Sequence, residues 1–274
     1  MRIFINSLPK SGTNLVAKLV ESLGYQYSKK SIALSSQIGR YETIKRLTRT
    51  ACWRGSNIAV GLEINASVSS AWVERYLRHV PEGHYVTGHS AYSDHLQDIL
   101  CKNGYKTIQV IRNPYDVILS YAKYFVEKDN NYYPTYKTLK NLSLDDRVRL
   151  IAEGGKLIGC QHYMRSIREV LRLQEGWFES PLVLPVKFED LVGPKGGGSR
   201  KKQEETIKDI CLYLGIDTKR AEEIADSIYG GTHTFRSGKI GAARKYLDAE
   251  LRGLIKENIS GSVVLEKLGY INEG

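Results

Sequence analysis

Ile3-Phe4-Ile5-Asn6-Ser7-Leu8-Pro9-Lys10-Ser11-Gly12-Thr13-Asn14 is the stretch on which the reading of this chain turns. Ile3 to Ile5 form a short apolar run that reads as a buried strand. A loop with proline, lysine and glycine follows, and then Leu15, Val16, Leu19, Val20 and Leu23 recur at helical spacing up to Gly24. The first backbone N–H groups of such a helix have no partner inside it, and its dipole favours negative charge there. Gly12 lets backbone approach a ligand closely, and Lys10 adds a full positive charge. Lys10, Ser11, Gly12, Thr13 and Asn14 therefore form a candidate anion site for phosphate or sulfate. The alternative is a lysine in an ordinary strand-to-helix turn. The nucleotide-triphosphatase form of the device, Gly-x-x-x-x-Gly-Lys-Ser/Thr, is absent, because Lys10 precedes the glycine.

A chain of 274 residues with 42% apolar content has ample material for one large α/β domain. Its formal charge of +10 favours anionic partners without choosing among nucleotide, sulfated product, acidic surface and nucleic acid. No signal-peptide pattern and no bilayer-length apolar run is seen, and Cys52, Cys101, Cys160 and Cys211 lie far apart. These features lead us to expect a reduced, cytoplasmic protein without a membrane span.

Further along, 25–60 is basic and rich in hydroxyls, and its expected form is a solvated loop or a lid over a substrate. Ser70 to Arg78 reads as a short helix. Tyr85 and Val86 are strand-like, and Gly88 ends that strand just before His89, which puts His89 at the sheet edge where ligands bind. Tyr105 to Ile111 is a second clear strand. Arg112-Asn113-Pro114-Tyr115-Asp116 makes the turn, Asp116 is well placed at the start of the next helix, and Ser120 lies one turn further on. Arg112 and Ser120 can clamp one phosphate between them, the arginine by a bidentate fork.

Pro-Lys-Ser-Gly-Thr after an N-terminal strand resembles the 5′-phosphosulfate loop of sulfotransferases that use 3′-phosphoadenosine 5′-phosphosulfate (PAPS). Val-Ile-Arg-Asn-Pro-Tyr-Asp-Val-Ile-Leu-Ser-Tyr, from Val110 to Tyr121, is similar to the 3′-phosphate segment of the same family. Two weaker likenesses follow in family order. Phe188-Glu189-Asp190-Leu191 resembles a Tyr-Glu-Asp-Leu segment whose aromatic residue approaches the adenine. Arg236-Ser237-Gly238-Lys239-Ile240-Gly241 resembles an Arg-Lys-Gly-x-x-Gly loop that closes over the nucleotide. Departures are Leu15 where many members carry tryptophan, Gly88 in the Thr-His context of the base, Phe188 without a hydroxyl, and Ser237 in place of lysine. Lys239 and Arg244 are candidates to replace that lysine.

The resemblance implies one α/β domain over 1–274, with a central parallel sheet flanked by helices in a P-loop nucleotide-kinase-like arrangement. It places acceptor-site or lid insertions near 25–60 and 126–150. Tyr132, Tyr133 and Tyr136 fall in the second of these, and a mobile glycine-rich loop is expected near 193–203. It implies PAPS as cosubstrate and no metal. Lys10 and His89 are the catalytic pair, and Ser11, Gly12, Thr13, Asn14, Arg112, Ser120, Phe188, Arg236, Ser237 and Gly238 join Lys10 in holding the nucleotide. The expected reaction is in-line sulfonate transfer to a hydroxyl or amine of a small molecule, with a histidine base. A polysaccharide acceptor and a nucleotide-kinase-like phosphate transfer are the alternatives. A basic nucleic-acid-binding protein is the reading from another class, disfavoured because the basic residues are scattered and no recognition motif is present.

Overall fold

The computed structural model describes residues 1–33, 57–127, 138–157, 163–230 and 238–270. The strands, in chain order, are β1 (Arg2–Ser7), β2 (Gln26–Ile32), β3 (Asn57–Gly61), β4 (Ala66–Ser69), β5 (His84–Gly88), β6 (Tyr105–Ile111), β7 (Gly155–Lys156), β8 (Tyr163–Met164) and β9 (Val183–Lys187). Five of them form one parallel sheet of order β2-β5-β1-β6-β9, with the first strand in the middle. The strand β1 owes that place to its apolar run. Ile3 and Ile5 are fully buried on one face against Leu15, Val16, Leu19 and Val20 of the helix Thr13–Ser22. Phe4 is fully buried on the other face with Val86, Leu96 and Trp177. Side chains alternate across a strand, so a continuous apolar run is what a strand covered on both faces requires.

Among the described residues, seven helices begin at a residue whose side chain accepts from the first turn: Ser69, Ser93, Ser143, Ser166, Ser199, Asp248 and Ser262. Each such cap stabilises its helix by about 1 kcal/mol. The helix Thr13–Ser22 differs. Its N-cap is Gly12 in the left-handed region, φ 109°, with no side-chain cap, so the helix start is left to the loop before it. Among the described residues no helix is long and apolar enough to cross a membrane.

The expectations for 25–60 and 193–203 need correction, and two apolar stretches divide at glycines. The stretch 25–60, expected as loop, contributes the edge strand β2, and 34–56 lie outside the described residues. Its polar sequence Gln-Tyr-Ser-Lys-Lys-Ser-Ile is half exposed, and its register shifts around Lys29, which has φ 57°. Apolar residues recur at helical spacing between 151 and 174, yet the stretch spans parts of two helices. Gly154, φ 73°, ends the helix Leu144–Glu153, and the next is the short Ile167–Arg172. The glycine-rich stretch 193–203 holds a 3-10 turn, Pro194–Gly196, and the first turn of the helix Arg200–Leu214. Gly198 N donates to Gly193 O at 2.8 Å, and Ile240 N donates to Gly196 O at 2.9 Å. The C-terminal stretch splits into Ala249–Ile259 and Val263–Lys267 at Gly261, φ 72°.

Candidate active site

Four segments leave the carboxyl ends of adjacent parallel strands on one edge of the sheet, the edge where ligands bind in folds of this kind. These are the Lys10 loop after β1, His89 after β5, the Arg112 turn after β6 and Phe188 after β9.

Lys10 itself has φ 68°, a left-handed conformation that costs a residue with a Cβ roughly 1–2 kcal/mol. Its ammonium lies 4.3 Å from the centre of the Tyr124 ring, a contact that sequence reading missed. Tyr124 is one turn beyond Ser120 on the helix Pro114–Glu127, and Ser120 is half-buried. Gly12 is required for space as well as for its backbone angle, since a Cβ there would lie 2.6 Å from the Phe188 ring. Ser7 Oγ and Thr13 Oγ1 are 2.5 Å apart, which ties the loop closed across its base. Asn14 is exposed at the helix start. Ser11 is fully buried, and its Oγ has no hydrogen-bond partner among the described residues.

His89 is fixed by its backbone and by its ring. His89 N donates to Ile32 O at 3.0 Å. The next residue, Ser90, has its carbonyl held by Asn6 Nδ2, Gln174 Nε2 and Trp177 Nε1 at 3.1, 2.7 and 3.1 Å. Asn6 Oδ1 accepts from Ser90 N, and Asn6 Nδ2 also donates to Gln109 Oε1, which joins the turn to β6. Asn6, Ser90, Gln109 and Gln174 are all buried. Asn6 and Gln109 are polar positions within buried strands, and the cost of leaving such groups unsatisfied accounts for the hydrogen bonds that this network makes. A Cβ at Gly88 would meet the Phe4 ring at 2.5 Å, so the strand end has no room for a side chain there. His89 Nδ1 lies 2.9 Å from Ser7 O. A carbonyl can only accept, so Nδ1 carries the proton and the neutral ring presents Nε2 as its lone pair. Burial lowers the His89 pKa below its ordinary value and Lys10 adds to that. The Ser7 hydrogen bond and the charge of Glu63 oppose it.

Arg112 is buried and connects three segments. Nη1 donates to Lys10 O at 3.4 Å and Nη2 to Lys239 O at 2.9 Å, while the guanidinium stacks 4.3 Å from the Phe188 ring centre. Burial lowers its pKa, opposed by Asp116 and Glu189. Its Nε is buried without a partner among the described residues. Phe188 is itself buried, so its ring is a floor for Arg112 and Gly12. Glu189 beside it accepts from Asn113 N at 2.8 Å and from the Tyr270 hydroxyl at 2.5 Å, which fixes the turn that aims Arg112.

Asp116 does not cap its own helix. Its two oxygens accept from Gly241 N and Ala243 N, both at 2.8 Å, at the start of the helix Ala242–Tyr246. That brings the described part of the C-terminal loop, from Gly238 onward, against the Arg112 turn. Arg236 and Ser237 lie outside the described residues, as do Tyr132, Tyr133 and Tyr136. Lys239 and Arg244 are exposed, and the Lys239 carbonyl is the one held by Arg112. Asp116→Asn keeps one acceptor oxygen and turns the other into a donor facing an N–H. Denaturant unfolding is expected to show a loss of about 1–3 kcal/mol.

Two buried donors at the loop, Ser11 Oγ and Arg112 Nε, thus lack acceptors within the described protein. An oxyanion supplies such acceptors, and a lysine, open helix amides and a buried guanidinium surround the same place. The fold and the site define a class: parallel α/β proteins that bind a phosphorylated nucleotide at the strand ends. A family model described as the sulfotransferase domain matches residues 1–268. The chain belongs to the sulfotransferase domain family and is a PAPS-dependent sulfotransferase, with PAPS as cosubstrate. Among solved structures, a mouse sulfotransferase, SULT7A1, complexed with PAP is 20% identical, with a TM-score of 0.62 over 98% of this chain and 88% of that one. Retinol dehydratase in complex with androsterone and inactive cofactor PAP is 16% identical, with a TM-score of 0.57 over 96% and 81%. Retinol dehydratase with retinol and PAP is likewise 16% identical, at 0.56 over 96% and 82%. No curated protein sequence matches the chain.

Proposed function

We propose that this enzyme moves the sulfonate of PAPS in line onto a hydroxyl or amine of a small-molecule acceptor, with His89 as the base. The observation that carries this reading is the Nδ1 contact of His89 to Ser7 O, 2.9 Å. It leaves Nε2 to take the acceptor proton, and it ties the base to the strand that ends in the Lys10 loop. Lys10 and the loop amides stabilise charge that develops on the leaving phosphate and the sulfonate oxygens. Ser11, Gly12, Thr13 and Asn14 cradle the 5′ end. Arg112, Ser120 and the 236–238 loop hold the 3′-phosphate, with Lys239 the nearer substitute for the missing loop lysine. Phe188 acts from below by positioning Arg112.

A small acceptor is supported by a cavity that opens beside Leu8 and Pro9, walled mainly by apolar side chains such as Leu62, Val117, Ile151 and Met164. The related retinol dehydratase was crystallised with androsterone and with retinol, both small organic molecules. We take 1–274 as one domain and its setting as cytoplasmic, in keeping with the free thiols Cys101 and Cys211.

The test is transfer from labelled PAPS to a panel of phenols, alcohols, amines and glycans. Activity confined to long glycans overturns the small-molecule reading. A second expected result concerns the nucleotide. Arg112→Ala should weaken 3′,5′-bisphosphoadenosine (PAP) at least tenfold more than AMP in calorimetry, because PAP alone carries the 3′-phosphate. Equal affinity of the wild-type protein for the two nucleotides would rule out the clamp.

A further inference from the structure

A carboxylate stands beside the anion site, at Glu189, and its charge acts on Arg112. Left to itself, such a group works against a phosphate on the same guanidinium. Its two oxygens are turned elsewhere. Oε1 accepts from Asn113 N at 2.8 Å, and Oε2 accepts from the Tyr270 hydroxyl at 2.5 Å. One side chain thus joins the end of β9, the turn after β6 and the segment that follows the helix Val263–Lys267. A carboxylate with a donor on each oxygen has one orientation, whereas one held at a single oxygen can swing about its torsions.

The tyrosine that supplies the second donor is itself seated. Tyr270 is buried in the apolar cluster that holds Val264 and Leu265, and its N–H donates to Leu265 O at 2.8 Å. Lys187 Nζ lies 4.5 Å from the centre of the ring and donates to Leu268 O at 2.9 Å. The hydroxyl therefore has a fixed aim. Burial pushes the Glu189 carboxyl up from its ordinary value, opposed by the Tyr270 hydroxyl, the Asn113 N–H and the charge of Arg112. Arg112, for its part, donates to the carbonyls of Lys10 and Lys239 and stacks on Phe188, the neighbour of Glu189. A fork that grips a phosphate through parallel hydrogen bonds needs both its direction and its charge undisturbed.

We propose that Tyr270 is a positioning residue for the 3′-phosphate of the nucleotide: its hydroxyl keeps Glu189 on the Asn113 amide and off the Arg112 fork. This rests on the reading of Arg112 as the 3′-phosphate clamp and deepens it. Without that hydroxyl, Oε2 loses its donor, and the carboxylate turns toward Arg112 and competes with the phosphate. Discrimination for the bisphosphorylated nucleotide is thus set in part by a residue far along the chain from the clamp.

The experiment is calorimetry with PAP and with AMP on wild type, Tyr270→Phe, Arg112→Ala and their combination. Tyr270→Phe keeps the ring and its packing, and a thermal melt reports that it is folded. It is expected to weaken PAP about fivefold or more while AMP changes by less than about twofold. Adding Glu189→Gln removes the competing charge and should return the PAP:AMP ratio to within about twofold of wild type. On the Arg112→Ala background, Tyr270→Phe should leave the ratio as it is. In turnover with labelled PAPS, Tyr270→Phe should raise the KM for PAPS and leave kcat at saturation nearly unchanged. Were Tyr270→Phe to lose its fold, Glu189→Ala beside Glu189→Gln reads the linkage from its other end. Alanine frees the Asn113 amide and should give the lower ratio, and equal ratios would count against the linkage. Equal weakening of both nucleotides by Tyr270→Phe, an unchanged ratio, or a loss that Glu189→Gln does not restore overturns the proposal and leaves the clamp standing. Equal affinity of wild type for PAP and AMP removes the clamp, and the role of Tyr270 falls with it.

Discussion

Lys10→Ala is expected to lower sulfonate transfer by at least about a hundredfold while the protein stays folded. The magnitude is that of deleting one preorganised donor to developing negative charge. The separation of activity from stability follows from what the side chain touches. Its ammonium rests on the Tyr124 ring, a contact worth about 0.5–1 kcal/mol at a partly exposed site. Alanine meets the same left-handed backbone cost as lysine, so the loop loses little by the exchange. Turnover with labelled PAPS, read beside a thermal melt, checks this. A folded variant with near-normal turnover would remove Lys10 from the chemistry.

The second large effect is expected at His89. His89→Ala should reduce transfer to a hydroxyl acceptor by about a hundredfold or more, the range for loss of a positioned general base. The pH profile gives the finer check. Burial lowers the His89 pKa, so the neutral, competent ring persists to lower pH than a free imidazole would. In wild type the acid limb of kcat/KM is therefore expected below about 6.5, with activity falling as Nε2 takes a proton. Stability carries the same sign, because the unfolded chain binds that proton more readily. It is unaffected above the unfolded pKa and declines as pH falls through the window below it. His89→Ala should flatten the acid limb. Full activity of the variant with an unchanged limb would assign the base elsewhere.

Much of the site could be read from the sequence because parallel strands buried on both faces announce themselves. Ile3 to Ile5 is a continuous apolar run, Tyr105 to Ile111 is rich in strand-favouring residues, and Gly12 and Pro114 mark where each strand gives way to a loop. Lys10 and Arg112 then follow by position. The edge strand β2 left no such mark, since half of it faces water and its lysines resemble a solvated loop. Glu63 and Tyr124 were missed for another reason: nothing local in a hairpin tip or a helix face says which distant loop it will meet. Asp116 was noticed and misplaced. Its residue type suits a helix start, but the helix it caps begins 126 residues later, at Ala242. The proposal of His89 as base rests in the sequence on its order between two phosphate segments, and the network of Asn6, Ser90, Gln109 and Gln174 holds the turn that carries it.

The two outer strands of the main sheet are each irregular. The β2 ladder slips around Lys29, and β9 carries Pro185, which has no N–H to offer. A flat unpaired strand at a sheet margin recruits strands from other molecules, and bulges, lysines and prolines are what discourage it. At both margins of this protein, then, the backbone resists lengthening of the sheet by a neighbour. Concentrated preparations should be less prone to the strand-by-strand growth that ends in fibrils, and any self-association should proceed through helices and side chains.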